Sequence, residues 1–359
     1  MRSGGINREF WKGRRVFLTG HTGFMGGWLA LWLAQLGAKV HGYALPPPTD
    51  PSFFAAADVP RDIVSTIADI RDLASLRRAM ADARPEVVMH LAAQPLVRQA
   101  YGDPVTTYST NIMGTVHLLE AMRACGSIKA AVIVTSDKVY DNQERPDGYR
   151  EDDRLGGREP YGSSKACTEL VTRAYRDSYF DGGAKGLGIA TARAGNVIGG
   201  GDFAADRIVP DAVRAWAAGR QLVVRNPAAT RPWQHVLEPI CGYLMLAERL
   251  AAKPAEWSEG WNFGPAALDV KSVGWLAAEL ARNWGNGAAW AAANESSGPY
   301  EAKLLAVDIT KAQRELDWHP AWPVERAVER TTTWYREFIA ASDTRRRSLA
   351  QIEEYENAA

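Results

Sequence analysis

A doubly wound parallel α/β sheet is the fold this sequence predicts, and three observations predict it. Short apolar runs suited to buried strands recur at 15–19, 39–44, 63–67, 86–91, 128–135 and 189–193, with helical segments between them. That alternation calls for a parallel sheet covered on both faces. The first run leads into Gly20-His21-Thr22-Gly23-Phe24-Met25-Gly26 and then the apolar segment Trp28 to Leu36. Strand, glycine-rich turn and helix in that order form a dinucleotide-binding unit. Finally, Gly20, Asp69, Ala92 and Ser136 all fall at the carboxyl ends of expected strands, where ligands of such sheets bind. The sheet is therefore read as Rossmann-type, with a smaller mixed α/β domain made from the C-terminal half.

Bulk properties narrow the function classes. A chain of 359 residues implies one large or two joined domains. Lys plus Arg is 42 and Asp plus Glu is 42, so no basic field marks a nucleic-acid partner. Cys125, Cys167 and Cys241 are odd in number and far apart, which suits reduced thiols. No run has the apolar length of a membrane span, and the opening M-R-S-G-G-I-N-R-E-F has no signal-peptide core. A cytoplasmic location, no membrane partner and no metal are expected. Most of the 13 Trp, among them Trp28, Trp32, Trp216, Trp233, Trp261, Trp318 and Trp322, are expected in the core.

Along the chain, residues 1–14 read as an N-terminal arm. Residues 15–194, with return segments near 232–263, read as the dinucleotide-binding domain. In the turn after the first strand, Gly20 permits the bend, Gly23 admits a pyrophosphate and Gly26 lets helix and strand approach closely. The second strand, Lys39 to Ala44, ends at Ala44 and Leu45 before Pro46-Pro47-Pro48. Neither an acid for a ribose diol nor an Arg for a 2′-phosphate stands there, so this position leaves NAD and NADP both open. The proline run either lines an adenosine pocket or is a surface turn. Asp69 at the third strand end is placed to hydrogen-bond an adenine amino group, and Asp72 to cap a helix over 73–83. The fourth strand leads into Ala92-Ala93-Gln94, small enough for backbone to pack beside a pyrophosphate. A helix over roughly 105–125 contains Asn111.

The fifth strand ends in Val134-Thr135-Ser136-Asp137-Lys138. An acidic, Gly-rich loop follows, and then Pro160-Tyr161-Gly162-Ser163-Ser164-Lys165 opens a helix of about twenty residues. Spacing i, i+4 puts Tyr161 and Lys165 on one face. A free Tyr titrates near pH 10, and a neighbouring ammonium with a cationic nicotinamide would lower that value. Tyr161 could then take a hydroxyl proton as hydride leaves the same carbon, with Lys165 holding the nicotinamide ribose.

Taken together, T-G-H-T-G-F-M-G, H-L-A-A-Q and Y-G-S-S-K resemble the extended short-chain dehydrogenases/reductases. S-D-K-V-Y resembles the nucleotide-sugar 4,6-dehydratases within them. Relatives acting on dTDP-glucose carry Thr-Asp-Glu at Ser136-Asp137-Lys138. The Lys form, with Asp141-Asn142, R-A-G-N-V-I-G-G-G-D and R-P-W-Q-H-V-L-E-P, resembles the branch acting on CDP-glucose. The resemblance spans residues 19–239. It implies a bound, regenerated NAD, a CDP-glucose substrate, and a homodimer or homotetramer built on helices 103–125 and 160–180. It implies cofactor contacts from Gly20, Thr22, Gly23, Phe24, Met25, Gly26, Asp69, Ile70, Leu91, Ala92, Ala93, Thr135, Tyr161 and Lys165. Catalysis would fall to Tyr161 and Lys165, with Ser136 at the 4-oxygen, Asp137 as acid at the C6 oxygen and Lys138 at C5. Lys138 would be a base in its neutral form or, as an ammonium, would stabilise the enolate. A nucleotide-sugar epimerase, or a non-catalytic dinucleotide sensor, is the rival reading; Asp137 and Lys138 speak for elimination.

In the same reading, residues 195–231 and 264–342 form the sugar-nucleotide domain and 343–359 a C-terminal tail, either a solvated helix or frayed. Gln94, Asn196, Arg207, Arg231 and Tyr300 are the substrate candidates. The two arginines could each grip two diphosphate oxygens, although Asp206 or Asp211 could instead pair with Arg207. His235 is read as a packed histidine without a proton-transfer role.

Overall fold

The computed structural model describes residues 5–145, 147–183, 186–293 and 302–359. Seven strands form one parallel sheet: β1 (Arg15–Thr19), β2 (Lys39–Ala44), β3 (Val64–Ile67), β4 (Val87–His90), β5 (Ala130–Val134), β6 (Gly188–Ala194) and β7 (Gly260–Phe263). Their order is β7-β6-β5-β4-β1-β2-β3, and each neighbour pairs in parallel register. The order reverses between β1 and β4, and the strand ends part there to leave the ligand crevice.

Alternation along β1 sorts the core. Val16 and Leu18 point to the face covered by the Phe24–Gln35 and Leu237–Ala252 helices, while Phe17 points to the face covered by Leu73–Ala83 and Gly114–Arg123. The Phe24–Gln35 helix is apolar all round because it is buried all round. Trp28 stacks on Phe53 at 4.6 Å, and its indole N–H donates to the Gly200 carbonyl at 2.9 Å. Trp32 donates to Glu356 at 2.7 Å. All seven tryptophans expected in the core are buried.

The helix after the glycine turn begins at Phe24, four residues before the apolar run suggested. Glycines at 26 and 27 lower intrinsic helicity, and tertiary burial overrides them. The long helix expected over 105–125 is interrupted: Pro104–Tyr108 and Gly114–Arg123 are joined by a π turn over Ser109–Met113. Asn111 sits in that turn, with its side chain spent on the Gln94 backbone and the Ser164 hydroxyl. Such bulges concentrate at functional positions.

Both termini correct the sequence reading. The expected arm carries a short helix, Arg8–Trp11, whose Trp11 is buried and donates to Glu248 at 2.7 Å. The expected tail is a docked helix, Thr344–Ala358. Its charged residues hid a buried stripe of Ser348, Gln351, Ile352 and Tyr355. The Tyr355 hydroxyl donates at 2.6 Å to Glu238, which also accepts the Trp322 N–H at 2.7 Å. Burial pushes the Glu238 carboxyl up to about 7, against those hydrogen bonds.

The C-terminal half adds the helices Ile208–Ala217, Val273–Trp284 and Val324–Ile339. Two short strand pairs connect them: Thr230–Pro232 with Val270–Ser272, and Leu222–Val224 with Trp290–Ala292. Of these elements, the Ile208–Ala217 helix, the Leu222–Val224 strand, Arg231 and Val273 line the cleft. Among the described residues, no helix is long and apolar enough to cross a membrane.

Candidate active site

The glycine turn is forced by its surroundings. Gly20 has φ +80°, and a Cβ there would lie 2.7 Å from the Ala92 nitrogen. At Gly26 a Cβ would lie 2.0 Å from the Gly20 carbonyl oxygen. The Gly23 Cβ position meets only Gly20 O, at 3.4 Å, so space remains beside that backbone. Gly23 is the N-cap of the helix; among the described residues no side chain caps it, and the first turn carries no acid. Unsatisfied N–H groups at a helix N-terminus suit an anion. A dinucleotide pyrophosphate therefore fits the residues present. Thr19 Oγ1 accepts the Leu91 and Ala92 amides at 3.2 and 3.1 Å and contacts His90 Nδ1 at 2.7 Å, fixing Leu91-Ala92 beside the turn. Substituting Gly26→Ala is expected to destabilise the fold by about 1–3 kcal/mol through overpacking and to weaken NAD binding. Denaturant melts and nucleotide titration would read both, and unchanged binding would remove the turn from the cofactor site.

A cleft of about 500 Å³ opens at the ends of β5 and β6, within the range of small-ligand sites. Met25, Thr135, Ser136, Asp137, Lys138, Tyr161, Asn196, Arg207 and Arg231 all line it. Ser136 donates to Asp137 Oδ1 at 3.0 Å and accepts the Lys138 amide at 3.2 Å, closing a tight turn at the strand end. Lys138 Nζ lies 3.8 Å from Asp137 Oδ1. Asp137 is 1% exposed, and among the described residues its Oδ2 has no partner. Asn196 Oδ1 is similarly buried and unpaired. Buried polar atoms are normally satisfied, so both await a bound group or water.

Tyr161 begins the Pro160–Tyr179 helix, whose first amides are capped by Glu159 at 2.7 Å. Burial pushes the Tyr161 phenol up to about 12, against Ser136 and Arg207, which favour the phenolate. The sequence reading has the phenol lowered by Lys165 and a cationic nicotinamide together; in the protein alone Lys165 Nζ donates to the Val134 carbonyl at 3.0 Å, and desolvation is the largest influence on the phenol. Burial pushes Lys165 itself down to about 8, partly offset by Glu169.

The cleft thus gathers a phenol, a buried carboxyl, an amine and a hydroxyl at the strand ends. The family model described as GDP-mannose 4,6 dehydratase matches residues 17–331. The chain belongs to this 4,6-dehydratase family. It is 48% identical over 356 residues to the CDP-glucose 4,6-dehydratase of Salmonella typhimurium, covering 98% of this chain and 99% of that one. It is 25% identical to a dTDP-glucose 4,6-dehydratase of Xanthomonas campestris, over 89% of this chain and 92% of that one. The fold matches a UDP-glucose 4-epimerase structure from Stenotrophomonas maltophila, described with bound NAD and formylated UDP-arabinopyranose. That match has TM-score 0.80 at 22% identity, covering 92% of this chain and 100% of that one.

Within this 4,6-dehydratase framework the remaining residues divide. Asp69 forms a two-oxygen fork with Arg71 at 2.6–3.0 Å, and Asp72 caps its helix through the Ser75 amide at 3.0 Å. Thr22 Oγ1 donates to Leu45 O at 2.8 Å, tying the glycine turn to the end of β2. Gln94, a substrate candidate of the sequence, does not line the cleft; it donates to Thr107 at 2.8 Å and accepts from the Leu96 amide at 2.6 Å. Arg207 pairs at 3.0 Å with Asp202, rather than Asp206 or Asp211; Arg225 and Arg98 hold Asp206, and Arg214 holds Asp211. Arg231 donates to the Thr230 carbonyl at 2.8 Å beside the cleft. His235 is buried against Trp28 and Trp322 and pushed down to about 3 by desolvation. Tyr300 lies outside the described residues.

Sequence reasoning missed Arg98, Arg225 and Tyr243, all on the cleft wall. Arg98 follows directly on H-L-A-A-Q-P-L-V, and Arg225 follows the short strand Leu222–Val224, so position alone could have flagged both. Tyr243 sits mid-helix in an apolar run, where no local signal separates it from core.

Proposed function

We propose that the protein removes water from CDP-D-glucose to give CDP-4-keto-6-deoxy-D-glucose, as an NAD-dependent hydro-lyase of deoxysugar biosynthesis. The observation that carries this reading is the gathering of Ser136, Asp137, Lys138 and Tyr161 on one cleft. The identity to the Salmonella enzyme supports it and supports cytosine as the base. An epimerase needs the Tyr and Lys but has no use for a buried acid beside an amine.

Bound NAD supplies a hydride acceptor at C4 and a hydride donor at C6, so it ends each turnover as it began and stays on the enzyme. Tyr161 takes the proton of the 4-hydroxyl, and Ser136 holds the same oxygen. The 4-ketone acidifies the C5 proton, and Lys138 acts there, as base or as the cation that stabilises the enolate. Asp137 protonates the 6-hydroxyl, water leaves, and C5 takes back a proton once C6 has received hydride. Lys165 would hold the nicotinamide ribose. Asn196, Arg207 and Arg231 receive the substrate diphosphate. In this arrangement residues 15–194 with 232–263 hold the cofactor, and 195–231 with 264–342 hold the sugar nucleotide. Val105, Met113 and Leu170 are exposed on the helices expected to form a subunit interface, which supports a homodimer or homotetramer.

Incubation with CDP-, dTDP-, GDP- and UDP-glucose tests the reading. Loss of one water from CDP-glucose without net oxidation is expected; a product of unchanged mass with an inverted carbon would replace it with epimerisation. Arg231→Met is expected to raise KM for CDP-glucose by roughly tenfold to a hundredfold, the worth of a charge-assisted hydrogen bond at about 1.5–3 kcal/mol. An unchanged KM would remove Arg231 from the diphosphate site.

A further inference from the structure

Behind the cleft lies a buried ion pair to which the mechanism gives no part. Glu169 and Arg193 are 4% and 5% exposed in their side chains and meet through two parallel bonds of 2.9 Å. Such a pair is costly to desolvate, and its stabilising worth alone is a weak reason for its presence. Its connections are more informative. Glu169 stands one turn beyond Lys165 on the Pro160–Tyr179 helix and accepts the Thr135 hydroxyl at 2.6 Å. Arg193, on β6, donates to the Tyr140 hydroxyl at 2.8 Å. Tyr140 in turn donates to Asn262 on β7 at 2.7 Å.

Thr135 immediately precedes Ser136-Asp137-Lys138, and Tyr140 follows it by two residues. The pair thus grips both ends of the turn that carries the acid and the amine. Through Glu169 it joins that turn to the helix carrying Tyr161 and Lys165. We propose that Glu169 and Arg193 are positioning residues that hold the eliminating group, Asp137 and Lys138, at a fixed spacing from the oxidising group, Tyr161 and Lys165. Oxidation at C4 and elimination across C5 and C6 involve three consecutive carbons of one sugar, so the two sets of side chains must stay in register through the whole turnover. Displacement of about 1 Å can cost about a hundredfold in rate. The Glu169 charge also opposes the desolvation of Lys165.

The inference rests on the dehydratase reading, and the test separates the two. Glu169→Gln keeps the shape and removes the charge. Its kcat for CDP-glucose is expected to fall by about tenfold to a hundredfold with KM within about twofold. Reduced nicotinamide should build up on the enzyme, because elimination now lags oxidation. Hydrogen exchange of the amides at 135–140 should accelerate while the other sheet strands keep wild-type protection. Tyr140→Phe, which deletes one oxygen and leaves the ion pair intact, should show the same pattern at smaller amplitude and serves if Glu169→Gln does not fold. Wild-type kcat in either folded variant, or a loss of rate matched by a loss of folded protein with no local change in exchange, would overturn the proposal. If the wild-type protein leaves CDP-glucose unchanged, the dehydratase reading fails, and the exchange measurement still decides whether the pair holds the turn.

Discussion

Tyr161→Phe is expected to lower kcat by about 10²–10⁴-fold, the usual worth of a positioned proton acceptor, while NAD and CDP-glucose remain bound. The hydroxyl lies in the cleft with Ser136 and has burial working against its ionisation. A phenol held near 12 is neutral at physiological pH, and each pH unit of lowering requires about 1.4 kcal/mol. The Ser136 hydrogen bond and the Arg207 charge contribute to that lowering. A cationic nicotinamide would add to it once bound, which would couple proton removal to cofactor binding. Phenylalanine removes the acceptor with little change of shape, and the fold should keep its stability to within about 1 kcal/mol. Retained NAD binding with lost turnover is the expected pair of measurements. Turnover near the wild-type rate would place the proton acceptor elsewhere.

The sheet and the glycine turn were legible because local chemistry and tertiary demand agree there. Buried parallel strands need apolar runs, and the turn needs glycine for reasons of close approach at Gly20 and Gly26. The pairing of Tyr161 with Lys165 was legible as a spacing, but the electrostatics were not. A sequence shows which charge stands four residues away; it does not show that Lys165 turns to the Val134 carbonyl or how much water the fold excludes. Gln94 illustrates the same limit. Its position after H-L-A-A pointed to the substrate, yet both ends of its amide are used by Thr107 and Leu96. The C-terminal helix was hidden for another reason. Its mean hydropathy is low, and contacts distant in sequence, Tyr355 with Glu238 and Trp32 with Glu356, reveal its buried face. The Glu169–Arg193 pair had half a signal: Glu169 continues the i, i+4 face of Tyr161 and Lys165, while its partner arrives from a different strand.

Asp137→Asn is expected to separate oxidation from elimination. Asparagine occupies the same volume and can still accept the Ser136 hydroxyl, now made to Asp137 Oδ1 at 3.0 Å. What it cannot do is hand a proton to a departing hydroxyl. With Tyr161, Lys165 and Ser136 intact, the 4-hydroxyl is still oxidised and the sugar stalls as the ketone. The kcat for water loss should fall by about 10²–10⁴-fold with little change in KM, and the near-ultraviolet absorbance of reduced nicotinamide should appear on mixing with CDP-glucose. The variant is also expected to melt close to wild type, because the amide keeps the volume of the acid and its hydrogen bond with Ser136. The measurement discriminates between the two side chains able to serve the leaving oxygen. Lys138 Nζ lies 3.8 Å from Asp137 and its side chain is 28% exposed, against 2% for the aspartate. If Lys138 were the acid, Asp137→Asn would lower the rate only modestly and no reduced cofactor would accumulate. Lys138→Met would then produce the stalled state instead. If Asp137 is the acid, Lys138→Met slows proton removal at C5, and the ketone formed by that variant keeps its C5 hydrogen unexchanged in deuterated water, whereas Asp137→Asn exchanges it.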